Sequence, residues 1–129
     1  MKKTTARWII PVLCLVGLTL AVAGYSRQAR PLEIRLEARD MAFYLEGDSV
    51  PNPVLHLGAG QVTKLTLINK DRGMLHDWAV DRLGIFTEIL PGDGSSGAIE
   101  FRAPYQPGRY EYVCSLHDRL MRGWMEVVE

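Results

Sequence analysis

The sequence predicts an all-β sandwich over residues 32–129, and three observations predict it. From Leu32 onward apolar and polar residues alternate with period two in short runs. Gly, Pro, Asn and Asp turn residues separate those runs at short intervals. No segment after residue 30 sustains a 3.6-residue period over ten or more positions. Seven to nine short strands with such punctuation close most readily into two packed sheets.

The elements follow in order. Glu33 to Ala38 alternates cleanly, and Met41 to Glu46 reads as a weaker strand before Gly47-Asp48. Pro51-Asn52-Pro53 is a break, because proline cannot donate to a sheet ladder. Val54 to Leu57 is a short strand, and Gln61 to Asn69 a longer one rich in Val, Thr, Leu and Ile. Asn69 to Gly73 is a turn. Leu75 to Val80 is strand-like, and Gly84 to Leu90 is a further strand or an irregular stretch ended by Pro91-Gly-Asp-Gly94. Ala98 to Arg102 and Tyr110 to Cys114 are strands on either side of the turn Tyr105-Gln-Pro107-Gly108. Trp124 to Val128 closes the chain. Trp78, Trp124 and Met125 read as core, Met74 as apolar rim, and Glu111 and Asp118 as solvated.

The 129 residues suit one domain, and a hydrophobic content of 47% supports one core. Residues 1–23 carry three bases, Lys2, Lys3 and Arg7, and no acid, which leaves twelve bases against fifteen acids in the rest. A mildly acidic domain gives no reason to expect nucleic acid as a partner. Trp8 to Gly24 is an apolar run behind the basic start, and Ala21-Val22-Ala23 offers a small-residue cleavage site. Residues 1–25 are therefore expected to be an apolar helix, serving as a signal peptide or as an N-terminal membrane anchor through residues 8–24. A span of seventeen residues interrupted by Pro11 is short for a bilayer, so the signal is preferred. Either way the domain is expected to be exported, periplasmic or otherwise extracytoplasmic. Residues 26–31 read as a linker.

The chemistry gathers in Cys114-Ser-Leu-His117-Asp-Arg-Leu-Met121, a polar loop between the last two strands. A thiolate, an imidazole and a thioether at Cys-x2-His-x3-Met spacing form a soft donor set, which selects copper. Cys114 is the sole cysteine after the apolar segment, so no disulfide is expected within the domain. A second imidazole must come from His56 or His76. His56 lies mid-strand and reads as a partly exposed strand residue. His76 opens a strand after a turn, at an end of the sandwich where loops converge, and is the choice.

Leu75-His76-Asp77-Trp78, Pro91-Gly92, Pro107-Gly108-Arg-Tyr110-Glu-Tyr-Val-Cys114-Ser-Leu-His117 and Met121-Arg-Gly123 together resemble the small cupredoxins, such as plastocyanin, azurin and amicyanin. The resemblance spans roughly residues 32–129. It implies a Greek-key β-sandwich with one type 1 (blue) copper ion at one end. His76, Cys114 and His117 would form the trigonal set and Met121 the long axial ligand. It further implies single-electron transfer, with protein redox partners making small, transient contacts near His117, by a monomer. The sequence departs from the family at two points. Asp77 stands where the family normally has Asn, and can accept from a backbone N–H or from Ser115 but offers no amide proton. Three residues separate His117 from Met121, where plastocyanin-like loops have four and amicyanin-like loops two.

Other functions fare less well. A copper enzyme needs further histidines, and only His56 is spare; a binuclear copper site needs a second cysteine; hydrolytic zinc needs an open position. The expectation is therefore not an enzyme. The stronger alternative is a copper-binding module for trafficking, resistance or sensing that does not shuttle electrons. A metal-free interaction domain is disfavoured by the complete donor set.

Overall fold

The structure is a computed structural model that describes residues 30–129. The expected N-terminal helix, the signal or anchor, and most of the linker lie outside the described residues.

Among the described residues nine strands follow one another: β1 (Leu32–Arg39), β2 (Ala42–Leu45), β3 (Leu55–Gly58), β4 (Val62–Asn69), β5 (Ala79–Val80), β6 (Ile85–Phe86), β7 (Ser96–Arg102), β8 (Gly108–Val113) and β9 (Arg122–Val128). They form two sheets, of order β2-β1-β4-β7 and β3-β9-β8-β5-β6. Most neighbours are antiparallel, but β1 pairs with β4 and β3 with β9 in parallel, so both sheets are mixed. The expected all-β sandwich is present, with a single 3-10 turn at Asp81–Leu83 among the described residues.

Alternation explains what each strand buries. In β4 the inward set is Thr63, Leu65, Leu67 and Asn69. In β9 it is Gly123, Met125 and Val127. Aromatic rings join the sheets: Phe43 of β2 meets Tyr112 of β8 edge-on at 5.6 Å, and Phe101 of β7 stacks on Trp78 at 5.8 Å. Trp78 and Met125 are fully buried, as expected.

Two expectations change. Trp124 is not core: it is 39% exposed, because a strand that turns Gly123 and Met125 inward must turn Trp124 outward, where Arg109 lies 4.8 Å above its ring. Leu75 to Val80 is not one strand. His76 makes an isolated bridge to Leu90, and regular pairing begins only at Ala79. Between them Thr87 substitutes for the ladder: its hydroxyl accepts from the Trp78 N–H at 3.0 Å, while its own N–H donates to the Trp78 carbonyl. Of Gly84 to Leu90, read as a strand or an irregular stretch, only Ile85–Phe86 is strand.

The turn between β1 and β2 has two residues, Asp40 and Met41, both left-handed at φ 52° and 58°. This suits the twist of a tight hairpin but disfavours non-glycine residues. Its two N–H groups are both accepted by the carboxylate of Asp71, which follows β4. That carboxylate joins the hairpin to the end of the sandwich that carries the donor residues.

Candidate metal centre

The segment after β4 is held by Asn69, a fully buried residue at the strand's end. Its side-chain amide donates to the carbonyls of Met74 and Leu90, both at 2.8 Å, and its Oδ1 accepts from the Asp71 N–H at 3.0 Å. Three bonds from one side chain fix the backbone on both sides of His76. Gly92 completes this packing: a Cβ there would lie 1.6 Å from the Asp71 carbonyl oxygen. The Pro91-Gly92 turn therefore requires glycine for close backbone approach.

The loop between β8 and β9 is wound on itself. The His117 N–H donates to the Cys114 carbonyl at 3.1 Å, the Met121 N–H donates to the His117 carbonyl at 2.9 Å, and the Cys114 N–H donates to the Met121 carbonyl at 2.9 Å. Cys114, His117 and Met121 thus share one backbone knot. Asn52 props it by donating to the Leu120 carbonyl at 3.1 Å.

These two segments bring His76, Cys114 and His117 together, with their donor atoms all within 4.8 Å of one another. The Cys114 Sγ lies 3.6 Å from the Nδ1 of each histidine. A nitrogen at about 2.0 Å and a sulfur at about 2.3 Å from one first-row ion, with an angle between about 109° and 120°, stand about 3.5–3.7 Å apart. The three residues therefore fit one metal ion. His76 and Cys114 are fully buried and His117 is half-buried. Met121 is fully buried in the core cluster that also contains Cys114. His56, as expected, stands apart, exposed on β3 beside Glu126.

Asp77 ties the two segments together. It accepts from the Ser115 N–H at 2.7 Å and from the Ser115 hydroxyl. The carboxylate thus does with acceptors alone what an amide would do as donor and acceptor. Burial pushes the Cys114 thiol above its ordinary value; the amides of Asp77 and Leu116 oppose this, and the Asp77 carboxylate adds to the rise. Without metal the residue is a thiol at neutral pH, and a metal must displace its proton.

Sequence reasoning missed Asp71 and Asn69, which it read only as turn residues. Asp71 Oδ2 lies 2.9 Å from His76 Nε2. Burial alone would raise its carboxyl, but the amides of Met41 and Asp40 and the His76 ring outweigh it and hold it below the usual carboxylate value.

Several solved structures share this fold. Auracyanin A, a "blue" copper protein from Chloroflexus aurantiacus, is 19% identical, with a TM-score of 0.59 over 77% of this chain and 100% of its own. Reduced rusticyanin is 24% identical, with a TM-score of 0.55 over 74% of this chain and 78% of its own. The metal-binding domain of the Streptococcus pneumoniae D39 Cu(I)-exporting P-type ATPase CopA, solved with Cu(I), is 20% identical, with a TM-score of 0.56 over 75% of this chain and 85% of its own. At such identities the likeness establishes the fold. No curated protein sequence matches. The model of the Cupredoxin-like domain family matches residues 12–127, nearly the whole chain, and the protein belongs to that family.

Proposed function

We propose that this protein is a type 1 copper protein that carries single electrons between protein partners outside the cytoplasm. One observation carries the reading: a buried thiol and two imidazole nitrogens converge within 4.8 Å, the thiol and one imidazole from a loop whose last residue is a buried methionine and the other imidazole from the segment after β4. His76, Cys114 and His117 would hold the ion, with Met121 as the long fourth ligand. Copper held this way supplies one-electron cycling between Cu(I) and Cu(II). The chain's own part is to keep the donors fixed, so that little moves when the electron does. The Asn69 and Asp77 ties and the wound loop serve that rigidity. A closed donor set leaves no position for a substrate, which favours a carrier over an enzyme.

His117 is the partly exposed ligand, and three exposed leucines adjoin the donors in the chain: Leu75 is 51% exposed, Leu116 46% and Leu120 62%. Such a rim suits brief contact with a redox partner by a monomeric carrier, with the electron passing near His117. Residues 1–25, as signal or anchor, would place the domain in the periplasm or an equivalent compartment.

The test is the visible spectrum of the protein after adding Cu(II), beside Cys114→Ser. The expected result is an intense band in the red that disappears with ascorbate and is absent from the variant. The likeness to the exporter's copper-binding domain supports a second reading, copper trafficking, resistance or sensing. A colourless protein that binds Cu(I) tightly would favour that reading over electron carriage.

A further inference from the structure

The Asp71 carboxylate makes three contacts at once. Its Oδ1 accepts from the Asp40 N–H at 2.6 Å, and its Oδ2 accepts from the Met41 N–H at 3.0 Å and faces His76 Nε2 at 2.9 Å. The side chain is only 15% exposed. Its backbone is fixed as well, by Asn69 Oδ1 on its N–H and by the close approach of Gly92 to its carbonyl. The carboxylate therefore has one orientation, set by a hairpin thirty residues earlier in the chain.

A carboxylate can only accept, so the ring nitrogen it faces must carry the hydrogen. That selects the Nε2–H tautomer of His76 and leaves the lone pair on Nδ1, the atom 3.6 Å from Cys114 Sγ. A carboxylate behind an imidazole also makes that imidazole a stronger donor, which favours the more highly charged state of a bound ion.

We propose that Asp71 is a positioning residue for this site: it fixes the ring and tautomer of His76, and through that ring it biases bound copper toward Cu(II). The second half rests on the copper reading above; the first does not. The β1–β2 turn orients the carboxylate through backbone amides alone, which a change of the Met41 side chain to glycine leaves in place.

The experiment uses the full chain as wild type, Asp71→Ala, Met41→Gly, and Asp71→Ala with Met41→Gly. Alanine leaves no acceptor behind the ring, and glycine tolerates the left-handed turn, so the double variant keeps the hairpin if Asp71→Ala alone does not fold. In the metal-free protein, 15N–1H correlation of the His76 ring is expected to show the Nε2–H tautomer in the wild type and in Met41→Gly, and its loss in both Asp71→Ala proteins. In the copper-loaded protein, a redox titration is expected to show about a tenfold loss of Cu(II) relative to Cu(I) affinity in both Asp71→Ala proteins, a rise of about 59 mV for a one-electron couple. Met41→Gly should match the wild type in both.

A wild-type His76 protonated on Nδ1, or one unchanged by Asp71→Ala, overturns the positioning role. A copper couple that stays within twofold of wild type in both Asp71→Ala proteins overturns the tuning role and leaves Asp71 a cap for the turn. A wild type that takes up no copper sinks the copper reading and the tuning role with it, while the ring tautomer still decides the positioning role.

Discussion

Asp77 shows what a single departure from a family pattern does. Its carboxylate is buried and accepts both the N–H and the hydroxyl of Ser115, so the tie between the two donor-bearing segments survives the loss of an amide donor because Ser115 supplies a donor of its own. Removing the acceptor should therefore matter more than removing the charge. Asp77→Ala strands the Ser115 N–H and should cost about 1–3 kcal/mol, whereas Asp77→Asn retains a carbonyl oxygen for it and should cost less than about 1 kcal/mol. Urea unfolding of the metal-free protein measures both, and equal losses would show that the Ser115 bonds are not what the carboxylate supplies. Cys114, His117 and Met121 were legible as candidates because they lie within eight residues and their spacing is local. His76 was legible as a candidate because it follows a turn, and the structure brings it together with Cys114 and His117. Asp71 and Asn69 were not, since their partners are the amides of Asp40 and Met41 and the carbonyl of Leu90, which only the folded sheets bring near.

At the scale of elements, β8 and β9 carry the loop, and their packing depends on one missing side chain. A Cβ on Gly123 would lie 2.3 Å from the Tyr112 ring and hydroxyl. Tyr112 cannot retreat: its hydroxyl donates to the Pro53 carbonyl at 2.5 Å, and its ring is flanked by Phe43 at 5.6 Å and Trp78 at 5.8 Å. Gly123→Ala should therefore destabilise the fold by at least the ~1–3 kcal/mol typical of overpacking. Because the clash is with one residue, the loss should be non-additive with Tyr112→Leu, which opens the space. Urea midpoints of the two single variants and the double test this, and strict additivity would place the strain elsewhere. The same strands show where sequence reading stops. Alternation located β1 to β4 and β7 to β9 within about two residues, because each buries one face. It failed at Trp124, where a large aromatic suggested core although the register of Met125 and Val127 required the opposite face. It also failed over Leu75 to Val80, where the Thr87 hydroxyl replaces a ladder bond and no local pattern announces the substitution.

For the whole molecule, the proposed ligands come from two segments that only the folded sandwich unites, so binding and folding must be linked. The donors lie on the segment after β4 and on the β8–β9 loop, and His76, Cys114 and Met121 are fully buried. An ion held there stabilises the native state by about 2.7 kcal/mol when free copper is a hundred times the dissociation constant. For a domain of this size that corresponds to a rise in melting temperature of roughly 10–20 °C. Thermal unfolding with and without copper measures it, and Cys114→Ser should lose most of the rise; an undiminished rise in the variant would place the ion elsewhere. The same linkage fixes a pH dependence. Burial raises the Cys114 thiol in the metal-free fold, so that fold holds the proton at neutral pH and copper must release it. Below the raised thiol value each unit of acidification should weaken copper uptake about tenfold, or about 1.4 kcal/mol, and the copper-induced rise in melting temperature should shrink accordingly. A rise that stayed constant between neutral and mildly acidic pH would mean that no thiol proton is displaced, and hence that the thiolate of Cys114 is not among the ligands.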